Sequence, residues 1–289
     1  MNLLHNLLQS ILKSKPNNTA HPSPDIEDYP AERLQALKKL HEQAPVDFHI
    51  KLLFDQIKIN EHNFLDLFNS CLIESGTGLS AWKHFIRAQS ALNLVRYFLH
   101  SMNIKGARVE CGVFMGFSAL LMSRAAKIKN PSFNGKDLYL IDSFSGFSKP
   151  IEKDFISFRS KSINQTNKAP AFGLGDGIAS FAHIQQLLSK FPDATIIKDW
   201  IPGAFSLLPS TTWAFVHIDV DLYEPTRDCL KYFHPRMTDG GVLICDDYGS
   251  TLFPGAKKAW DEYFQEHDLP FVILETGQSI YVNQGINYQ

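Results

Sequence analysis

The chain has 289 residues, 44% of them hydrophobic and 20% charged, and 28 basic against 30 acidic side chains leave a formal net charge of -2. A chain of this length and composition buries a sizeable core as one domain with additions, and its intermixed charges lack the basic cluster of a nucleic-acid binder, which excludes that partner. No apolar run approaches the roughly 20 residues of a membrane span, and four widely spaced cysteines without a C-x-x-C pair are expected as reduced thiols of a cytoplasmic protein.

The opening MNLLHNLLQSILKSK sets Leu3, Leu4, Leu7, Leu8, Ile11 and Leu12 on one helical face. His5, Asn6, Gln9 and Ser10 interrupt it, so it is read as an amphipathic helix rather than a secretion signal, docked on the protein's own body or on a second copy of the chain. Lys15 to Glu32 carries four prolines among polar residues and is predicted as a linker or arm, giving an N-terminal segment over 1–32 suited to homo-oligomer formation. Helical spacing then recurs at Leu34, Leu37 and Leu40, and again at Leu65, Leu67, Phe68 and Leu72, which predicts a helical cap over 33–80. Gly76, Thr77 and Gly78 break the pattern, Ser80 is an expected N-cap, and AWKHFIRAQSALNLVRYFLHSM predicts a long helix closed by Asn103 and Gly106.

The domain expected over 81–289 alternates strands with helices. Candidate strands are Arg108 to Val113, Leu138 to Asp142, Thr195 to Lys198, Ala214 to Asp219, Val242 to Asp246, Phe271 to Leu274 and Ser279 to Val282. The first five are separated by segments able to form helices, which predicts right-handed parallel crossovers. Only Glu275 to Gln278 joins the last two, so they are expected as an antiparallel hairpin. The fold class is therefore α/β, a Rossmann-like sheet with an N-terminal helical extension. Lys149 to Lys190 is long for a crossover and is expected to act as a lid or binding loop. Its GLGDG at Gly173 to Gly177 lacks the G-K-[ST] ending of a phosphate loop and reads as a turn. The 12% aromatic content suits either core packing or stacking on a sugar or arene.

Chemistry concentrates at strand ends, where open α/β sheets bind ligands. Glu110 is a candidate partner for a cationic group, and Gly112 and Gly116, spaced in E-x-G-x-x-x-G before Ser118, allow close ligand approach or simply a tight strand-to-helix turn. Asp142, followed by Ser143, suits two vicinal ribose hydroxyls, or else caps the next helix. Asp219, Asp246 and Asp247 offer hard oxygen donors for Mg²⁺ or Ca²⁺, and Asp221 is a candidate general base. His217, inside an apolar strand, reads as a core histidine. A phosphohydrolase with Asp219 as nucleophile suits the D-x-D but lacks an evident Lys and Ser/Thr set, and a non-catalytic cofactor-binding scaffold is the remaining alternative.

ARVECGVFMGFSALLMSRAA, LIDSFSGF, FVHIDVDLYEPTRDCLKYFHPRM, GGVLICDDYG and PGAKKAWDEYF, in this order between about residues 80 and 283, resemble the macrocin O-methyltransferase family, whose members act on sugars of macrolide and aminocoumarin antibiotics. The resemblance implies a class I methyltransferase fold, S-adenosylmethionine as methyl donor and a small-molecule acceptor, a sugar or glycoside hydroxyl. It further implies Mg²⁺ on Asp219, Asp246 and Asp247, Asp221 as base, and cofactor contacts from Glu110 and Asp142, with Gly112, Gly116, Ser118 and Ser143 in the same motifs. Val220 replaces the glycine of the family's D-G-D, and Phe114 and Met115 replace an aromatic-basic pair.

Overall fold

The computed structural model describes residues 57–77, 81–159 and 166–285. The expected N-terminal amphipathic helix, the Pro-rich arm, the helices before residue 57 and the Ser80 cap lie outside the described residues. The first described elements are a short hairpin, β1 (Lys58–Ile59) and β2 (His62–Asn63), and helix α1 (Phe64–Ser75). Asn63 caps α1 by accepting from the Leu65 and Asp66 N–H groups, and Gly76, left-handed at φ 71°, ends it. The predicted long helix follows as α2 (Ala81–Ser101).

Strands and helices then alternate: β3 (Ala107–Cys111), α3 (Phe117–Lys129), β4 (Leu138–Asp142), the pair β5 (Phe155–Arg159) and β6 (Thr166–Pro170), α4 (Phe181–Leu187), β7 (Thr195–Lys198), β8 (Trp213–Ile218), α5 (Tyr223–Phe233), β9 (Met237–Cys245), α6 (Pro254–Glu266), β10 (Val272–Ile273) and β11 (Ser279–Val282). The main sheet has seven strands in the order β10-β11-β9-β8-β3-β4-β7. β9, β8, β3, β4 and β7 run parallel, and β11 is antiparallel to both its neighbours, as the hairpin reading requires. Because chain order reverses between β3 and β8, a crevice opens there beyond the carboxyl ends of the strands.

Strand alternation feeds two cores. Phe215, Val242, Ile244, Leu138 and Leu140 pack beneath α1 to α4, and Val109, Cys111, Val216, Ile218 and Leu243 pack beneath α5 and α6. Two details depart from the sequence reading. β9 begins at Met237, ahead of Gly240 and Gly241, because the β8–β9 register shifts between Trp213 and Phe215 and the glycines are absorbed as a bulge. The β7–β8 connection uses a 3-10 turn at Gly203–Leu207 in place of an α-helix.

The long segment after β4 also carries structure, the antiparallel β5–β6 ribbon. The buried Asp154 fastens its start to the body: Oδ2 accepts the Ile151 N–H at 2.9 Å and Oδ1 accepts the Tyr223 N–H at 2.7 Å, at the first residue of α5. A side chain at Gly255 would run into that carboxylate. Asp154→Ala leaves two N–H groups without partners, at about 1–3 kcal/mol for each that stays buried. Its urea unfolding midpoint is expected to fall accordingly, and an unchanged midpoint would show that the anchor is dispensable.

Candidate active site

The ladder continues past the strand ends and sets the positions of the acids. Asp219 N–H donates to the Cys111 carbonyl at 2.8 Å, and Asp246 N–H to the Ile218 carbonyl at 3.0 Å. Glu110 and His217 are register partners on β3 and β8, on the face that buries Phe215 and Ile244, and Asp219 and Asp246 continue that face. Neighbours along extended backbone point opposite ways, so Asp247 turns away from Asp246. Asp221 sits in a left-handed turn at φ 63°, a conformation in which Asp is enriched among side-chain-bearing residues.

Two clusters result, sharing Asp219. Carboxylate oxygens of Asp219, Asp221 and Asp247 lie within 4.8 Å of one another and line a cavity of about 390 Å³. Burial and the neighbouring Asp246 push Asp219 up to about 7, and burial together with the other acids raises Asp221 and Asp247 well above the carboxylate range. Asp247 Oδ2 is buried without a hydrogen-bond partner. This donor set, all hard oxygen and with no cation of the protein paired to it, fits Mg²⁺, which would favour its ionised form.

The second cluster is Asp246 with His217 and Asp219, on the α2 side. His217 Nδ1 meets Glu110 Oε1 at 3.0 Å, its Nε2 faces Asp246 Oδ1 at 3.6 Å, Gln278 Nε2 donates to Asp246 Oδ1 at 2.8 Å, and Arg87 pairs with Asp246 Oδ2 at 3.5 Å. Burial disfavours the imidazolium, but the Asp246 and Glu110 carboxylates outweigh it and raise His217 to about 10. Burial likewise works against ionised Asp246, yet His217 and Arg87 hold its carboxyl well below the usual range.

Across the crevice, Asp142 Oδ2 accepts the Val113 and Phe114 N–H groups, each at 2.8 Å, and Oδ1 accepts the Phe144 N–H at 2.7 Å. Three of about four lone-pair sites are thus committed to shaping the β3–α3 turn. Gly112, at φ 92°, lies against the Asp219 carbonyl, where a Cβ has no room, and Gly116 packs against Ile184 and Leu187 of α4. Ser118, Asp142 and Ser143 line the cavity, as do Asp199, Trp200 and Ile201 beyond β7. Glu110 and Gly116 are not among its lining residues; Glu110 is 0% exposed behind His217.

The family model described as Macrocin-O-methyltransferase (TylF) matches residues 88–279. The chain belongs to the macrocin O-methyltransferase family. Mycinamicin III 3''-O-methyltransferase of Micromonospora griseorubida is 26% identical over 209 residues, covering 70% of this chain and 78% of that protein. Demethyldecarbamoylnovobiocin O-methyltransferase of Streptomyces niveus is 28% identical over 170 residues, covering 58% of this chain and 61% of that one. The solved structure of CalS11, a calicheamicin methyltransferase, shares the fold with a TM-score of 0.55 at 19% identity, over 92% of this chain and 99% of that chain. This macrocin O-methyltransferase family member is therefore an S-adenosylmethionine-dependent O-methyltransferase, not a phosphohydrolase or an inert scaffold.

In this member of the family the expected metal trio is divided: Asp219 and Asp247 face the cavity with Asp221, whereas Asp246 turns toward Arg87 and Gln278. His217 is no ordinary core histidine. Its place two residues before Asp219, opposite Glu110 on the adjoining strand, was the available signal. Asp199 was equally readable, as the first residue beyond a predicted strand. Groups that orient ligating carboxylates are typically worth about 10–100-fold in affinity or activity. His217→Ala is expected to lower kcat within that range while S-adenosylhomocysteine affinity, followed by calorimetry, stays near wild type; an unchanged kcat would show that Asp246 is held without it.

Proposed function

We propose that the chain methylates a hydroxyl of a sugar or glycoside, with Mg²⁺ held at the acidic end of the crevice and Asp221 as proton acceptor. The reading rests on one observation: the carboxylates of Asp219, Asp221 and Asp247 converge in a strand-end crevice that is also lined by Gly112 to Met115 and by Asp142 and Ser143. The family's relatives named for mycinamicin III and demethyldecarbamoylnovobiocin support the acceptor class.

Asp219 and Asp247 would hold the cation from the cavity side, and Asp246, kept ionised by Arg87 and His217 on the other face, would fix the Asp219 side of the site. The cation would contribute charge compensation and Lewis acidity toward an acceptor hydroxyl. S-adenosylmethionine, held by the Gly112 to Met115 turn with Asp142 and Ser143, would supply an electrophilic methyl group to the acceptor oxygen, with its sulfur keeping the bonding pair. Asp221, beside this end of the cavity, takes the proton that the hydroxyl gives up. The Asp142-braced turn orients the nucleoside side, so positioning carries much of the acceleration. Remaining lone-pair capacity on Asp142 and the Ser143 hydroxyl are the ribose partners in this reading. The four cysteines, all buried and unpaired, suit a reducing compartment, and we place the enzyme in the cytoplasm. Among the described residues no helix is long and apolar enough to cross a membrane.

Asp247→Ala is expected to lower kcat by roughly 100-fold or more, matching the loss of several kcal/mol of charge stabilisation, with S-adenosylhomocysteine still bound. Excess EDTA should stop turnover of the unmutated enzyme, and Mg²⁺ should restore it. Full activity in the variant or in EDTA would sink the metal-assisted mechanism.

A further inference from the structure

A second cavity, of about 570 Å³, opens between α1, α3 and α4, and none of its lining residues lines the strand-end crevice. Its floor is apolar: Leu120 and Phe191 are buried, and Leu67, Ile128 and Leu187 are half-buried against the same core. Side-chain bonds hold the walls. Asn60 Nδ2 donates to the Ile128 carbonyl at 2.7 Å, Arg124 donates to Ser70 Oγ at 3.3 Å, and His183 Nε2 meets the Ser75 carbonyl at 3.2 Å, which ties α4 to the end of α1. An apolar lining with a few polar groups is the make-up of cavities that hold small ligands.

The polar groups here are mostly cationic. Arg124, Lys127 and Lys190 line the cavity together with His62 and His183, against one carboxylate, Glu74. Glu74 is committed to the Arg124 guanidinium. Among the described residues Lys127 and Lys190 have no carboxylate partner, and Lys127 Nζ stands 5.8 Å over the Phe191 ring, at the edge of the floor. Two unpaired ammonium groups beside an apolar floor select a ligand with both a negative charge and an apolar body. A phosphate is best matched by the parallel N–H bonds of a guanidinium, and the guanidinium of this cavity is already taken. An ammonium is a point charge and suits a carboxylate monoanion.

We infer that the cleft between α1, α3 and α4 is an accessory binding site for a small organic carboxylate, whose apolar body lies on Leu67, Leu120, Leu187 and Phe191 and whose carboxylate is held by Lys127 and Lys190. Its occupant is neither methyl donor nor acceptor, since the cleft shares no residue with the crevice where those would meet.

The test is calorimetry on the full chain, its crevice first filled with S-adenosylhomocysteine and Mg²⁺, titrated with octanoate, octanol and octyl phosphate. Octanoate should bind at one site per chain and about tenfold or more tighter than octanol, the order of one charge-assisted hydrogen bond. It should also bind more tightly than octyl phosphate, and salt should weaken octanoate but not octanol. The double variant Lys127→Glu, Lys190→Glu reverses two exposed charges. It should lose the octanoate advantage and keep the octanol and S-adenosylhomocysteine affinities of the unmutated chain, the latter showing that it is folded. Octanol binding as tight as octanoate, tighter binding of octyl phosphate, an octanoate advantage that survives in the double variant, or no saturable octanoate binding would overturn the proposal.

Discussion

Carboxylates at the ends of β8 and β9 repel one another, and the fold divides that repulsion between the two faces of its sheet. Alternation sends Asp246 to the α2 side, where His217, Arg87 and Gln278 supply positive charge and hydrogen bonds. It sends Asp247 to the cavity with Asp221, where charge is left uncompensated by the protein. Asp219 stands between them. In a low-dielectric strand end burial and mutual repulsion still raise Asp219, Asp221 and Asp247, and Asp246, paired with His217 and Arg87, is the acid held ionised. Glu110 extends the logic inward, since a fully buried carboxylate is tolerable only because His217 meets it.

Much of this was legible in the residues. Strands buried on both faces read as continuous apolar runs, and six of seven begin and end within two residues of the prediction: β3, β4, β7, β8, β10 and β11. The hairpin followed from a linker too short to cross the sheet. The β5–β6 ribbon was hidden because its strands mix polar residues with apolar ones and pair only with each other, so no core imposes a period. Gly240 and Gly241 fell outside the predicted strand because a bulge is a tertiary accommodation that local sequence does not announce.

At the site, residue identity was easier to read than direction. Four aspartates after two apolar runs marked a charged crevice, but which pair shares a face depends on strand phase. Glu110, expected to contact a ligand, is fully buried beside its register partner His217, one step inside the strand end. The aromatic content was read correctly in bulk, with Trp213, Phe215, Phe233 and Trp260 all buried. The three phenylalanines of the cavity rim, Phe147, Phe172 and Phe253, are far apart in sequence, and only the fold brings them together.

Gly112 carries a consequence for how such an enzyme can diverge. Its Cα lies against the Asp219 carbonyl, so the β3–α3 turn and the strand end that presents the acids are in direct backbone contact. Neither can be remodelled without disturbing the other, and the two halves of the reaction centre must be inherited as one block. The rim is under no such constraint: Phe147, Phe172 and Phe253 hang from connections whose exchange leaves every strand in register. New acceptors are therefore open to a lineage through its loops, at a chemistry that stays fixed.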